Sequence, residues 1–187
     1  MKEDKKLMNN RNTNIDEIFQ MIVESVANND KIVISTEKNR KAVNEIFNSM
    51  TLKERYYIDG DIGKKYIPTQ YATKRRYETN KAGLLYHATV FVNDVPVSFL
   101  DIYDHMNSNG EIGEICIGTR GEKKYRGKGY ASKVMNEGIK WFKKDKDMVS
   151  LRYYVHTENT PSIKFAIKNG FKIIDKNKDY VTLEIKK

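Results

Sequence analysis

Tyr125-Arg126-Gly127-Lys128-Gly129-Tyr130-Ala131, running straight into an amphipathic stretch, is the segment on which the fold turns. Two glycines one residue apart let the backbone take positive φ and approach a ligand closely. The amides that follow open a helix, where the dipole and the unpaired N–H groups favour an anion. Arg126, Lys128, Lys123 and Lys124 add cations suited to phosphate. The segment therefore predicts a pyrophosphate cradle. A P-loop is excluded because no Gly-Lys-Ser/Thr ending follows, and a G-x-G-x-x-G turn would need glycine where Ser132 stands. What remains is Arg-x-x-Gly-x-Ala, formed by Arg126, Gly129 and Ala131 between a strand-like run and a helix.

Working outward, Ala131, Val134, Met135, Gly138, Ile139 and Phe142 fall on the inner face of that helix, with Trp141 at its edge. Before the loop, Glu111 to Gly118 reads as a strand; after the helix, Val149 to Val155 reads as another. A short helix with Pro161 in its first turn follows, closed by Gly170. Phe171 to Asp175 and Tyr180 to Ile185 make a last hairpin. Upstream, Leu84 to Val92 and Val95 to Tyr103 pair through the two-residue turn Asn93-Asp94. Residues 60–82 are weakly patterned, carry Lys74-Arg75-Arg76, and read either as a plain solvated connection or as the loop that borders a substrate site. Ala42, Val43, Ile46, Phe47 and Met50 mark an earlier helix, and Lys31 to Thr36 the first strand. Residues 14–29 have helical periodicity, with Asn14 and Glu17 as a capping pair, whereas residues 1–13 read as a disordered leader.

The cradle resembles the coenzyme-A-binding motif of the GNAT N-acetyltransferase superfamily, written Gln/Arg-x-x-Gly-x-Gly/Ala. A second stretch, Asn159-Thr160-Pro161-Ser162 with a short helix and Gly170-Phe171, is similar to the family's later motif, Asn-x-x-Ser/Ala followed by a helix and Gly-Phe. The resemblance implies an α/β GNAT fold: a mixed, mostly antiparallel sheet with a splayed parallel strand pair and flanking helices. It covers about residues 31–187, which makes 14–187 a single acetyltransferase domain with helix 14–29 as an addition. It also implies acetyl-CoA as co-substrate and no metal. Cofactor contacts carried over by the motifs are Arg126, Gly127, Lys128, Gly129, Tyr130 and Ala131 at the pyrophosphate, and backbone groups of Ile117, Gly118 and Thr119 along the pantetheine arm. Asn159 and Ser162 would meet the lower arm and the thioester. Many family members place a tyrosine at the position of Ala166 to protonate the departing thiolate, and its absence points to the ribosomal-protein and diamine N-acetyltransferase-like branch.

Acetyl transfer by direct attack requires a neutral amine, whereas a lysine-like amine has a pKa of roughly 10. A base or a desolvating site must help. Glu114 is the first candidate and Glu111, on the opposite strand face, the second. His156 reads equally as a base or a structural hydrogen-bonder, and Ser162 equally as a thioester neighbour or a helix cap. The N–H near Ile117 suits the developing oxyanion. Tyr130, Tyr153 and Tyr154 are alternative proton donors. Cys116 reads as a small buried hydrophobe, and His87, His105 and His156 lack metal-ligand spacing.

The chain of 187 residues is long enough for a real core, and its net charge of +9 suits an anionic cofactor, an acidic substrate or nucleic acid. An AT-rich coding bias toward Lys, Asn and Ile accounts for that charge equally well, so nucleic acid is allowed as a partner but not required. The expected acceptor is a small-molecule amine or a peptide N-terminus, with no membrane partner and either a monomer or a homodimer. A single cysteine and the lack of an apolar signal or spanning segment suit a cytoplasmic protein. Two other functions fit the motifs: a non-catalytic acyl-CoA sensor, and an acetyltransferase acting on aminoacyl-tRNA.

Overall fold

The computed structural model describes residues 30–59, 83–105 and 110–187. Contacts divide the chain into two units, residues 1–32 and 33–187, and the architecture below is that of the second. The expected leader, the helix at 14–29 and the basic loop at 60–82 lie outside the described residues. In chain order come β1 (Ile32–Ser35), α1 (Arg40–Asn48), α2 (Leu52–Asp59), β2 (Leu84–Val92), β3 (Val95–Asp104) and β4 (Ile112–Thr119). After a single 3₁₀ turn (Lys123–Tyr125) follow α3 (Tyr130–Lys144), β5 (Ser150–His156), α4 (Thr160–Lys168), β6 (Lys172–Lys176) and β7 (Tyr180–Lys186).

One sheet of seven strands results, in the order β1-β2-β3-β4-β5-β7-β6. The β2–β3 hairpin forms as expected: Asn93 and Asp94 take φ of 50° and 64°, the paired left-handed conformation of a tight hairpin turn. Pairing of β3 with β4, β5 with β7 and β6 with β7 is antiparallel. The exception is β4 against β5, which is parallel and runs only from Ile112↔Ser150 to Glu114↔Arg152. Both strands continue well beyond that ladder, so they part.

The two sheet faces bury different things. On one, Val134, Met135 and Phe142 of α3 cover Val90, Leu100 and Ile102. Gly138 brings this helix in close: a Cβ there would lie 2.8 Å from the Leu100 Cδ2 atom. Trp141, expected at the helix edge, stacks on Tyr86 with centroids 5.1 Å apart. On the other face, Ile46, Phe47 and Met50 pack on Phe99 and Cys116. Full burial of a side chain such as Phe99 contributes about 1.5–3 kcal/mol. Also buried there is a polar chain that the sequence did not announce. Tyr103 donates to Asp101 Oδ2 (2.8 Å), His87 Nδ1–H donates to Asp101 Oδ1 (2.6 Å), and Thr89 Oγ1 lies 2.8 Å from His87 Nε2. Those bonds satisfy groups that would otherwise be costly to desolvate.

Helix α2 was not expected. Thr51 and Glu54 form a capping box: the Thr51 N–H donates to Glu54 Oε2 (2.8 Å) and the Glu54 N–H to Thr51 Oγ1 (3.3 Å). Leu52 stays exposed, so the helix has no clean apolar stripe for sequence periodicity to reveal. Helix α4 ends as predicted at Gly170: its N–H bonds the Ile167 carbonyl (3.0 Å) and the Phe171 N–H bonds the Ala166 carbonyl (3.1 Å). No described helix is long and apolar enough to cross a membrane.

Candidate active site

A cavity of about 980 Å³ opens where β4 and β5 separate. Glu114, Ile117, Gly118 and Thr119 line it from β4, Gly127, Gly129, Tyr130 and Ala131 from the loop and α3, and Asn159 and Ser162 from the start of α4. The two sequence motifs, some thirty residues apart, thus meet across one opening. Lys128 and His156 are not on its wall.

The loop has the geometry its glycines suggested. Gly127 and Gly129 take φ of +72° and +78°, where L side chains are strained, and a Cβ on either would meet nothing within 4 Å. The backbone therefore faces open space, as an incoming phosphate requires. The first bond of α3 runs from the Lys133 N–H to the Gly129 carbonyl (3.1 Å), leaving the Ala131 and Ser132 amides without an acceptor inside the helix. Ser132, absent from the sequence candidates, joins the cavity wall by this position. The residues present fit an anionic pyrophosphate.

Several expected contributions take a different form. Arg126 lines the cavity with its guanidinium already engaged: it donates to the Gly121 carbonyl (2.9 Å) and forms an ion pair with Glu54 of α2. The Glu54 carboxyl is pulled below its ordinary range: burial opposes this, but the Thr51 cap bonds and Arg126 outweigh it. Tyr130 is buried in the core, so what it presents to the opening is mainly backbone. Gly118 is required by packing, since a Cβ there would lie 2.5 Å from the Phe99 ring. Its carbonyl accepts from Ser98 Oγ (2.9 Å) and so faces β3; by alternation, Ile117 and Thr119 turn their backbone groups toward the gap.

Glu114 was expected late on its strand but is its third residue, at the last rung of the β4–β5 ladder, with His105 Nδ1 3.4 Å from its carboxylate. Glu111 precedes β4 instead of sharing it; its carbonyl accepts from the Val149 N–H (2.7 Å). The cap of α4 is Asn159, not Ser162: Asn159 Oδ1 accepts from the Ser162 N–H (3.3 Å). Ser162 lies beside Tyr153, a phenol at 8% exposure whose pKa burial pushes far up, with Ser162 opposing the shift. Ala166 is sealed in the core.

His156 serves the wall from behind. Its Nδ1 accepts from the Glu158 N–H (3.3 Å), which puts the ring proton on Nε2, 3.4 Å from the Tyr56 hydroxyl. The rings of Tyr56, Tyr57 and Tyr180 surround it at 5.2–5.6 Å. Together these residues hold Tyr57 and Glu158 at the cavity, a wall missed in the sequence because α2 was missed; Thr51-x-x-Glu54 was the available signal.

Comparison with known proteins fits this geometry. The family model described as an acetyltransferase (GNAT) domain matches residues 34–172. No curated protein sequence matches. Among solved structures, the chain is similar to the PaiA N-acetyltransferase of Thermoplasma acidophilum, solved with coenzyme A, at 18% identity and TM-score 0.62, covering 84% of this chain and 99% of that one. It is also similar to YncA of Salmonella typhimurium, a putative acetyltransferase solved with acetyl-CoA, at 14% identity and TM-score 0.56, covering 83% and 93%. The Campylobacter jejuni N-acetyltransferase PseH gives 22% identity and TM-score 0.56, covering 83% and 98%.

Proposed function

Since the chain belongs to the GNAT acetyltransferase family, we propose that it transfers an acetyl group from acetyl-CoA to a primary amine of a small molecule or a protein N-terminus by direct attack. The observation that carries this reading is the opening between β4 and β5, floored by the left-handed glycine loop. The coenzyme carried by the Thermoplasma and Salmonella neighbours supports the choice of co-substrate.

Acetyl-CoA supplies the activated acyl group; the chain supplies grip, orientation and proton movement. Amides at Gly129, Ala131 and Ser132 receive the pyrophosphate. Backbone groups of Ile117 and Thr119, together with the Asn159 side chain, hold the pantetheine arm, and the Ile117 N–H faces the thioester oxygen. The amine nitrogen attacks the carbonyl carbon as the carbon–sulfur bond breaks. Glu114 takes the amine proton, and the departing sulfur receives one from Ser162 and the Tyr153 phenol behind it. Burial keeps that phenol protonated at neutral pH, as a donor must be.

The test is release of free thiol from acetyl-CoA over a panel of amines and free-N-terminal peptides, with coenzyme binding followed by thermal shift in the same samples. Acceptor-dependent release is expected. A protein that does not bind coenzyme overturns the reading. Binding without release over the whole panel rejects turnover in favour of a coenzyme-binding module.

A further inference from the structure

Glu114 meets the opening from a half-exposed position, and a base so placed must be aimed. Its side chain is 44% exposed at the last rung of the β4–β5 ladder, so several rotamers are open to the carboxylate. Arg152, its partner on that rung, is committed elsewhere: Arg152 Nε donates to Glu184 Oε1 (3.1 Å). The group that does meet Glu114 comes from the end of β3. The His105 N–H donates to the Ile112 carbonyl (2.8 Å), which continues the β3–β4 register and sets Glu114 diagonally across from His105 on the same sheet face. There His105 Nδ1 lies 3.4 Å from Glu114 Oε2. An ionised carboxylate only accepts, so the ring proton stands on Nδ1. Tyr154 supplies a second restraint, its ring stacked on the imidazole at 6.0 Å and 20°. Glu114 and Tyr154 line the cavity, whereas His105, 27% exposed, does not.

Off the wall, the imidazole is not placed to take the amine proton itself. We propose that His105 is a positioning residue for the base: its Nδ1–H holds the Glu114 carboxylate toward the cavity, and the Tyr154 ring fixes the plane of the imidazole. A general base gains from a fixed approach, and a small misplacement of it costs rate without touching coenzyme binding. Hydrogen bonds of this kind are often long before substrate arrives, and 3.4 Å leaves room to tighten when the amine enters. This inference rests on the acetyl-transfer reading with Glu114 as base, and adds the residue that aims it.

The test separates the donor from the ring. His105→Phe keeps an aromatic face for Tyr154 but removes the donor, whereas His105→Asn keeps an N–H near the Nδ1 position but removes the ring. With an amine from the thiol-release panel, His105→Phe should lower kcat by about tenfold, with KM for acetyl-CoA and coenzyme affinity unchanged. His105→Asn should recover to within about threefold of the parent. In a Glu114→Gln background His105→Phe should cost nothing more, because the two residues act as one unit. A spectroscopic arm needs no turnover. Nitrogen-15 shifts of the histidine rings in the free protein, above neutral pH, should show His105 protonated on Nδ1, and Glu114→Ala should return that proton to Nε2. A parent-like kcat in His105→Phe overturns the proposal. So does a His105→Asn variant no faster than His105→Phe, an additive loss in the double variant, or a tautomer that Glu114→Ala leaves unchanged. A parent-like kcat in Glu114→Gln would instead remove the base itself. A chain that binds no coenzyme or releases no thiol counts against the acetyl-transfer reading, and the tautomer arm still decides the contact.

Discussion

The closed and open ends of the β4–β5 pair use glycine for opposite purposes. Within the ladder, a Cβ on Gly113 would lie 2.6 Å from Leu151 Cδ2, 2.8 Å from Ile102 Cγ2 and 2.9 Å from Met148 Sδ, so the missing side chain is already filled by neighbours. At the open end, the Cβ positions of Gly127 and Gly129 face empty space. One glycine makes the protein dense where two strands must touch; the others keep it vacant where a ligand must enter. Burial reports the same division, with Gly113 inside and the loop glycines exposed. Stability and binding therefore depend on different glycines, one in the β4–β5 ladder and two in the loop at its open end, and the two can be broken separately.

At the fork itself, Glu114→Gln should lower kcat by about a hundredfold or more while leaving acetyl-CoA affinity unchanged. An unaltered pH–rate profile would remove Glu114 from the role of base. At the open end, Gly129→Glu puts a negative charge into the cradle and should weaken coenzyme binding by about a hundredfold. The positive φ adds only about 1–2 kcal/mol of strain, so circular dichroism should still show a folded chain. Retained affinity would sink the cradle. At the closed end, Gly113→Ala should cost about 1–3 kcal/mol through overpacking, each kcal/mol lowering Tm by about 2–4 °C. Coenzyme affinity measured well below Tm should hold, and a joint loss of both would dissolve the distinction between the ends.

The smallest effect concerns pH. Glu184, 7% exposed, faces Arg152 across the β5–β7 ladder, with Arg152 Nε 3.1 Å from Oε1 and Lys186 Nζ 3.3 Å from Oε2. Burial raises its pKa, but hydrogen bonds from Arg152, Ser150 and Lys186 outweigh that and hold it below the ordinary value of 4.5. A carboxyl with a depressed folded-state pKa contributes stability that is complete above 4.5 and is lost as pH falls toward the folded value. Melting temperatures from pH 7 to pH 3 should therefore drop more steeply in the parent chain than in Glu184→Gln.

Much of the fold was legible because it follows from local chemistry. Asn93-Asp94 dictates a hairpin, Gly170 a helix end, and Gly127 with Gly129 a loop that opens a helix. The mixed sheet and the splaying of its parallel pair came from the family resemblance, since residues alone do not announce where a parallel pair stops bonding. Less of the site could be read. The charge of Arg126 is visible in the sequence, but its commitment to Glu54, seventy-two residues earlier, is a tertiary fact. Glu158 likewise acquires meaning only when Tyr57, a hundred and one residues away, is beside it. Helix α2, which supplies both partners, has polar residues spread around it and a capping box as its single local sign.

Among the described strands, the seating of β7 between β5 and β6 leaves β6 at the end of the sheet, and all five of its residues are exposed. Ile173 and Ile174 would make that edge an inviting template for a stray strand from another molecule. Lys172 and Lys176 stand on either side of them, so a strand approaching the edge must desolvate a lysine at each end. The last hairpin thus carries its own guard against aggregation, and the chain's surplus of lysine, which says little about its partners, serves colloidal stability at this edge.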